Sequence, residues 1–76
     1  MGRLRIMGRL GDRQIEWRQD DLESLVLAEH ELAEWLNRPG HKAFGFKHSH
    51  LGAGKQITSF DSTLFEILLV PQMRGG

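Results

Sequence analysis

The residues best suited to chemistry lie at the end of the sequence, where Val70-Pro71-Gln72-Met73 is followed by Arg74-Gly75-Gly76. Two residues without Cβ atoms can thread a narrow channel in a partner protein and present a carboxylate for attack. A carboxylate is unreactive until it becomes an adenylate or a thioester. The chain has no cysteine, so the ATP chemistry and the thiol nucleophile must both come from a partner. Arg74 would anchor the tail, its planar guanidinium matching a carboxylate on that partner. As plain structure, the same two glycines read as a fraying terminus or the start of a flexible linker.

Other candidates are weaker. His48 and His50 flank Ser49, and with His30 and His41 they invite a metal reading. A closed site needs about four ligands, so exposed loop histidines are the expected state. Gly52-Ala53-Gly54-Lys55 ends like a phosphate loop, but position 49 is Ser49 where that loop needs glycine, and Gln56 stands where it needs Ser or Thr. The acids sit mainly on one segment with no sign of the dry cleft that a carboxylate pair requires. Ser24, Ser49, Ser59 and Ser62 have no histidine at a recognisable spacing. No catalytic residue, cofactor or metal is therefore assigned, and the expected function is non-enzymatic binding to other proteins.

These residues must be positioned by a small scaffold. Its 76 residues, 39% hydrophobic and 26% charged, suit one globular domain, which buries only about 60% of its unfolded surface. Lack of cysteine removes disulfides and thiolate metal sites. No signal peptide or 18-residue apolar run is visible, which makes a cytoplasmic protein the default expectation. Formal charge is zero but segregated. Arg3, Arg5, Arg9, Arg13 and Arg18 dominate residues 1–18. Residues 20–36 hold six acids and no Lys or Arg, and residues 38–55 hold Arg38, Lys42, Lys47 and Lys55 without an acid. Such asymmetry steers a partner to one face. Neutral net charge and the lack of aromatic interleaving among the arginines of residues 1–18 argue against nucleic acid.

The elements follow from periodicity. Leu4, Ile6, Gly8 and Leu10 alternate with arginines, then Gln14 to Arg18 alternate again, giving a hairpin turned at Gly11-Asp12. A helix over 21–37 is expected, with Asp20 as N-cap, Glu23 completing the box and Pro39-Gly40 as the stop. Its apolar stripe is Leu22, Leu25, Val26, Leu32, Ala33 and Leu36, with Leu27 and Trp35 at the edges and Arg38 favouring the far end of the dipole. Residues 42–47 form a third strand with Phe44 and Phe46 directed to the core, 48–55 an irregular loop, and 56–58 a short edge strand. Phe60 plugs the core before a turn at Asp61-Ser62. Over 63–70, Glu66 should point to water. Phe65, Ile67 and Leu69 then face inward, and Leu64, Leu68 and Val70 lie on the outer face.

A sheet wrapped over one amphipathic helix buries what a lone hairpin cannot. The expected class is α+β, a β-grasp of four or five mixed strands on one helix. Its first and last strands pair in parallel at the centre. The domain occupies 1–71 and the tail 72–76.

That order, the strand Ser62 to Val70 and the ending Arg74-Gly75-Gly76 resemble ubiquitin and its prokaryotic relatives, the sulfur carriers and small protein modifiers. The resemblance implies that a partner enzyme adenylates the carboxylate at Gly75 and Gly76. The carboxylate then becomes a thiocarboxylate or forms an isopeptide bond to a target lysine. It further implies that Arg74, Leu64, Leu68 and Val70 are recognition residues. The segment Leu4 to Gly11, the helix running into Pro39 to Phe44, and Leu69-Val70-Pro71 are also similar to the ubiquitin-like N-terminal domain of the phage tail assembly protein I. This second resemblance implies tail-tip proteins as partners instead.

Overall fold

The computed structural model describes residues 1–6, 13–48 and 54–72. The turn at Gly11-Asp12, most of the loop after His48 and the last four residues lie outside them. Among the described residues the order is β1 (Gly2–Ile6), β2 (Arg13–Trp17), α1 (Leu22–Leu36), β3 (Lys42–Phe46), β4 (Lys55–Ile57) and β5 (Glu66–Val70). These strands form one sheet in the order β2-β1-β5-β3-β4. β1 and β5 are parallel, with Leu4 opposite Ile67 and Ile6 opposite Leu69, while the other pairs are antiparallel. The parallel central pair and the five-stranded mixed sheet on one helix are as the sequence implies.

α1 starts one residue later than expected. Asp21, not Asp20, is the N-cap, in extended conformation, and its side chain accepts from the Ser24 amide at 3.3 Å. The Ser24 hydroxyl donates to the Asp21 carbonyl at 2.8 Å and accepts from the Arg18 amide at 2.9 Å, which ties the helix start to the end of β2. Glu23 lies in the first turn, where the dipole favours an acid. The last turn holds no basic residue; Arg38 falls beyond the Asn37 C-cap, its guanidinium 5.5 Å from the centre of the Trp35 ring. Gly40, at φ 75°, makes the left-handed turn into β3 that other residues resist.

The buried stripe of the helix keeps Leu25, Leu32 and Leu36 of the one expected but takes Ala28 and Trp35 in place of Leu22, Val26 and Ala33. Ala28, Leu32 and Trp35, at i, i+4 and i+7, face the sheet with Leu25 and Leu36 beside them. Leu22, Val26 and Ala33 are exposed, as is Leu27. Two tryptophans explain the choice. Trp17 is fully buried, its indole nitrogen donating to the Ser62 carbonyl at 3.1 Å and its ring meeting Phe60 edge-on at 5.0 Å. Trp35 donates to the Lys42 carbonyl at 3.1 Å and meets His41 edge-on at 4.6 Å. Helix and sheet approach closely around these rings only where a small residue such as Ala28 intervenes.

The same crowding sets the face of β3. Its inward positions are Ala43 and Gly45, both buried, opposite Leu69 and Ile67 of β5. Phe44 and Phe46, expected in the core, stand on the opposite face at intermediate exposure. Leu64 takes the volume over Gly45: a Cβ built there would lie 2.6 Å from Leu64 Cδ1. Leu64 is therefore 7% exposed and part of the core, not of the outer face. The final strand is shorter than the apolar run, because residues 61–64 form a turn closed by the Leu64 amide on the Asp61 carbonyl at 3.2 Å. Ile67 and Leu69 face inward as expected, and Phe65 is half-buried.

Candidate functional site

The face of the sheet turned away from α1 is built by alternation along three neighbouring strands. β1 contributes Arg3 and Arg5, β5 contributes Glu66, Leu68 and Val70, and β3 contributes Lys42, Phe44 and Phe46. Register sets them in rows: Arg5, Leu68 and Phe44 across the middle, Arg3, Glu66 and Phe46 on one side, Val70 and Lys42 on the other. Leu68, Val70, Phe44 and Phe46 are each half-buried, so they form an apolar strip over β5 and β3. Arg3 and Lys42 stand at its margins. The exposed acid of this face, Glu16, lies on β2 directly opposite Arg3.

Glu66 corrects the expectation that it points to water. It is on the outward side of β5, yet only 2% exposed. Its Oε1 lies 3.5 Å from an Arg5 guanidinium nitrogen, and Oε2 has no hydrogen-bond partner among the described residues. Such burial is tolerable only with a counter-charge at hand. Arg5 thus neutralises the centre of the face, which leaves the apolar strip with a basic margin.

The expected recognition residues separate accordingly. Leu68 and Val70 lie on this face, Leu64 is under the sheet, and Arg74, Gly75 and Gly76 lie outside the described residues. Arg3, Arg5, Phe44 and Phe46 were not assigned to the site from sequence. The signal was present in the strict alternation of Lys42, Phe44 and Phe46 and in two bulky tryptophans that require small residues opposite them.

Other candidates have structural work or no partners. His30 is paired along the helix with Glu34 at 3.7 Å. His41 Nδ1 is 3.2 Å from the Pro39 carbonyl. His48 is exposed, and His50 lies outside the described residues. Among the described residues no three His, Asp or Glu side chains gather to hold a metal. Gly54 and Lys55 lead into β4 and are exposed, while Gly52 and Ala53 lie outside the description. Ser24 serves the helix cap, and the Ser62 carbonyl receives the side chains of Trp17 and Gln19. Asp61 closes its own turn: Oδ1 accepts from the Thr63 hydroxyl at 2.6 Å and the Thr63 amide at 2.9 Å, and these bonds, the hydroxyl first, lower its pKa below 3.8. No described helix is long and apolar enough to cross a membrane.

No protein-family model matches the chain, and neither a curated protein nor a solved structure matches it. The fold alone defines the class. One helix on a five-stranded mixed sheet, with first and last strands parallel at its centre, is an α+β architecture of β-grasp type. The molecule is consistent with a small globular protein-interaction module of that type.

Proposed function

We propose that this protein is a non-enzymatic ubiquitin-like module that docks a partner protein on the outer face of its sheet and is coupled through Arg74-Gly75-Gly76. The observation that carries the docking surface is the strip of Phe44, Phe46, Leu68 and Val70. These side chains are withheld from the core and set side by side on a rigid sheet beside Arg3 and Lys42. Aromatic anchors with basic neighbours are the composition that binding faces favour. β5 is the middle strand, and it leads from this strip through Pro71 and Gln72 toward Arg74. A partner seated on the face would therefore hold the tail close to its own reactive centre. Where Gly76 is the terminal residue, its carboxylate oxygen attacks the α-phosphorus of ATP and releases pyrophosphate. The resulting acyl adenylate passes to a partner thiol, to a sulfur donor or to a lysine amine, with AMP as leaving group.

The test is incubation with candidate activating enzymes, ATP and magnesium, followed by intact mass. Adenylate-derived products should form with the full chain and be absent when Gly75 and Gly76 are deleted. Phe44→Glu, with the tail intact, should raise the concentration of this protein needed for half-maximal rate at least about tenfold, the loss of one central anchor. A product that survives the deletion would refute the coupling. The assembly role implied by the second resemblance predicts instead tight co-purification with structural partners, indifferent to that deletion.

A further inference from the structure

The helix carries a second surface that the reading above does not use. Leu22 is 75% exposed, Val26 58% and Leu27 49%. They lie within two turns of one another on α1, an apolar ridge left outside this chain's own core. Asp21, Glu23 and Glu29 border it, with His30 at its far end and Arg18 beside Leu22 as the basic residue near it. Glu31 is turned aside to Arg13, 4.0 Å away. This border decides between occupants. A symmetric contact of the ridge with itself sets acid against acid, and an anionic membrane surface meets the same repulsion. The occupant must offer an apolar strip with a basic margin.

The chain itself has one. Phe44, Phe46, Leu68 and Val70 form an apolar strip on the outer sheet face, with exposed Lys42 in its last row and Arg3, opposite Glu16, on the strand beyond β5. The ridge and the strip lie on opposite sides of the helix-on-sheet layer, so neither can reach the other within one molecule. Docking over β5 and β3 sets the helix acids on Lys42, with Glu16 two strands beyond β5 on β2. We propose that α1 of one copy docks through Leu22, Val26 and Leu27 onto the outer sheet face of a second copy, so that the chain associates head to tail. The inference rests on the reading of that face as a docking surface and names a second copy as an occupant. The contact is heterologous: each docked pair still presents one free ridge and one free strip, and growth continues until a ring closes or concentration limits it. Acid-on-basic borders steer the encounter and weaken with salt.

Sedimentation velocity tests this, with wild-type protein from about 10 µM to about 1 mM, in low salt and in about 0.5 M NaCl. The weight-average sedimentation coefficient should rise with concentration, and high salt should weaken the association about tenfold. Leu22→Lys with Val26→Lys on the ridge, and separately Phe44→Glu on the strip, should each give monomers. Mixing these two variants should yield a one-to-one dimer and nothing larger. The ridge variant retains its sheet face, the strip variant its helix, and only a head-to-tail contact predicts that recovery. Lys42→Glu, at an exposed position, is a second strip variant should Phe44→Glu lose its fold by circular dichroism; it too should be monomeric and should pair with the ridge variant. A wild type that stays monomeric to the highest concentration, or a mixture of variants that stays monomeric, overturns the proposal. So does association by the ridge variant alone. If wild-type protein is monomeric while Phe44→Glu still impairs activation, self-docking is overturned and the outer face stands as a partner surface. If self-association occurs as described but no partner requires the face, the functional reading fails alone.

Discussion

The buried carboxylate of Glu66 offers the sharpest test of how the outer face is held together. Replacing Arg5 with Met removes the guanidinium 3.5 Å from Oε1 and leaves a charge that is 2% exposed. At that separation the attraction is about 5 kcal/mol with an effective dielectric of ~20 and about 1 kcal/mol with that of water. The Arg5 side chain is 35% exposed, so screening places the effect between these limits, at about 2–3 kcal/mol. A chain of 76 residues has roughly 4–11 kcal/mol of stability in total, so the loss is large but leaves a folded protein. Urea unfolding at pH 7, followed by tryptophan fluorescence, should show a midpoint lowered by about 2 M at a slope near 1 kcal/mol per M. Adding Glu66→Leu to Arg5→Met removes the stranded charge, and the double variant should return to the wild-type midpoint or exceed it. Charge and shape are thereby separated. A single Arg5→Met variant as stable as wild type, or a double variant no better than the single, would refute the argument that Glu66 depends on Arg5.

Gly45→Ala places a Cβ 2.6 Å from Leu64 Cδ1 and 3.2 Å from Ile57 Cγ2; it should lower stability by about 1–3 kcal/mol, with part regained when Leu64→Val makes room, as measured by urea midpoints. Asp21→Ala removes the acceptor for the Ser24 amide and should cost about 1 kcal/mol, whereas Asp20→Ala should change the thermal midpoint little. Asp61 has a folded pKa below its ordinary value because the Thr63 hydroxyl and amide bond its carboxylate. Its contribution is therefore complete above the unfolded carboxylate range and is lost as pH falls through the lowered pKa. Thermal midpoints of wild type and Asp61→Asn should differ most near neutrality and converge as pH falls through the acid range; a constant gap across that range would exclude the linkage.

The order of elements and the helix with its Pro39-Gly40 stop were legible because they rest on local signals, period and breakers, while the parallel centre of the sheet followed from the β-grasp arrangement that this order implies. Which face of an element turns inward was not. α1 is apolar on two sides, and hydrophobicity alone ranks Leu22 and Val26 above Ala28, although Ala28 is the one of the three that is buried. On β3 the same ranking favours Phe44 and Phe46 over Ala43 and Gly45, while Leu64 and Ile57 occupy the space over Gly45. Glu66 was read by its charge as solvent-facing; its direction was right, but a long-range arginine from the other end of the chain covers it. Half of the candidate site was legible, in Leu68 and Val70. The other half, Phe44, Phe46 and the arginines of β1, depended on packing between elements far apart in sequence. Nothing in the described residues bears on Arg74, Gly75 and Gly76.

The most direct measurement of the central claim is cross-saturation NMR on labelled protein bound to a partner that couples or co-purifies with it. The account predicts that saturation transfers from the partner to the amides of residues 3, 5, 42, 44, 46, 68 and 70 and spares those of β2. Transfer confined to β2 or β4, with the Phe44 and Leu68 amides unaffected, would contradict it.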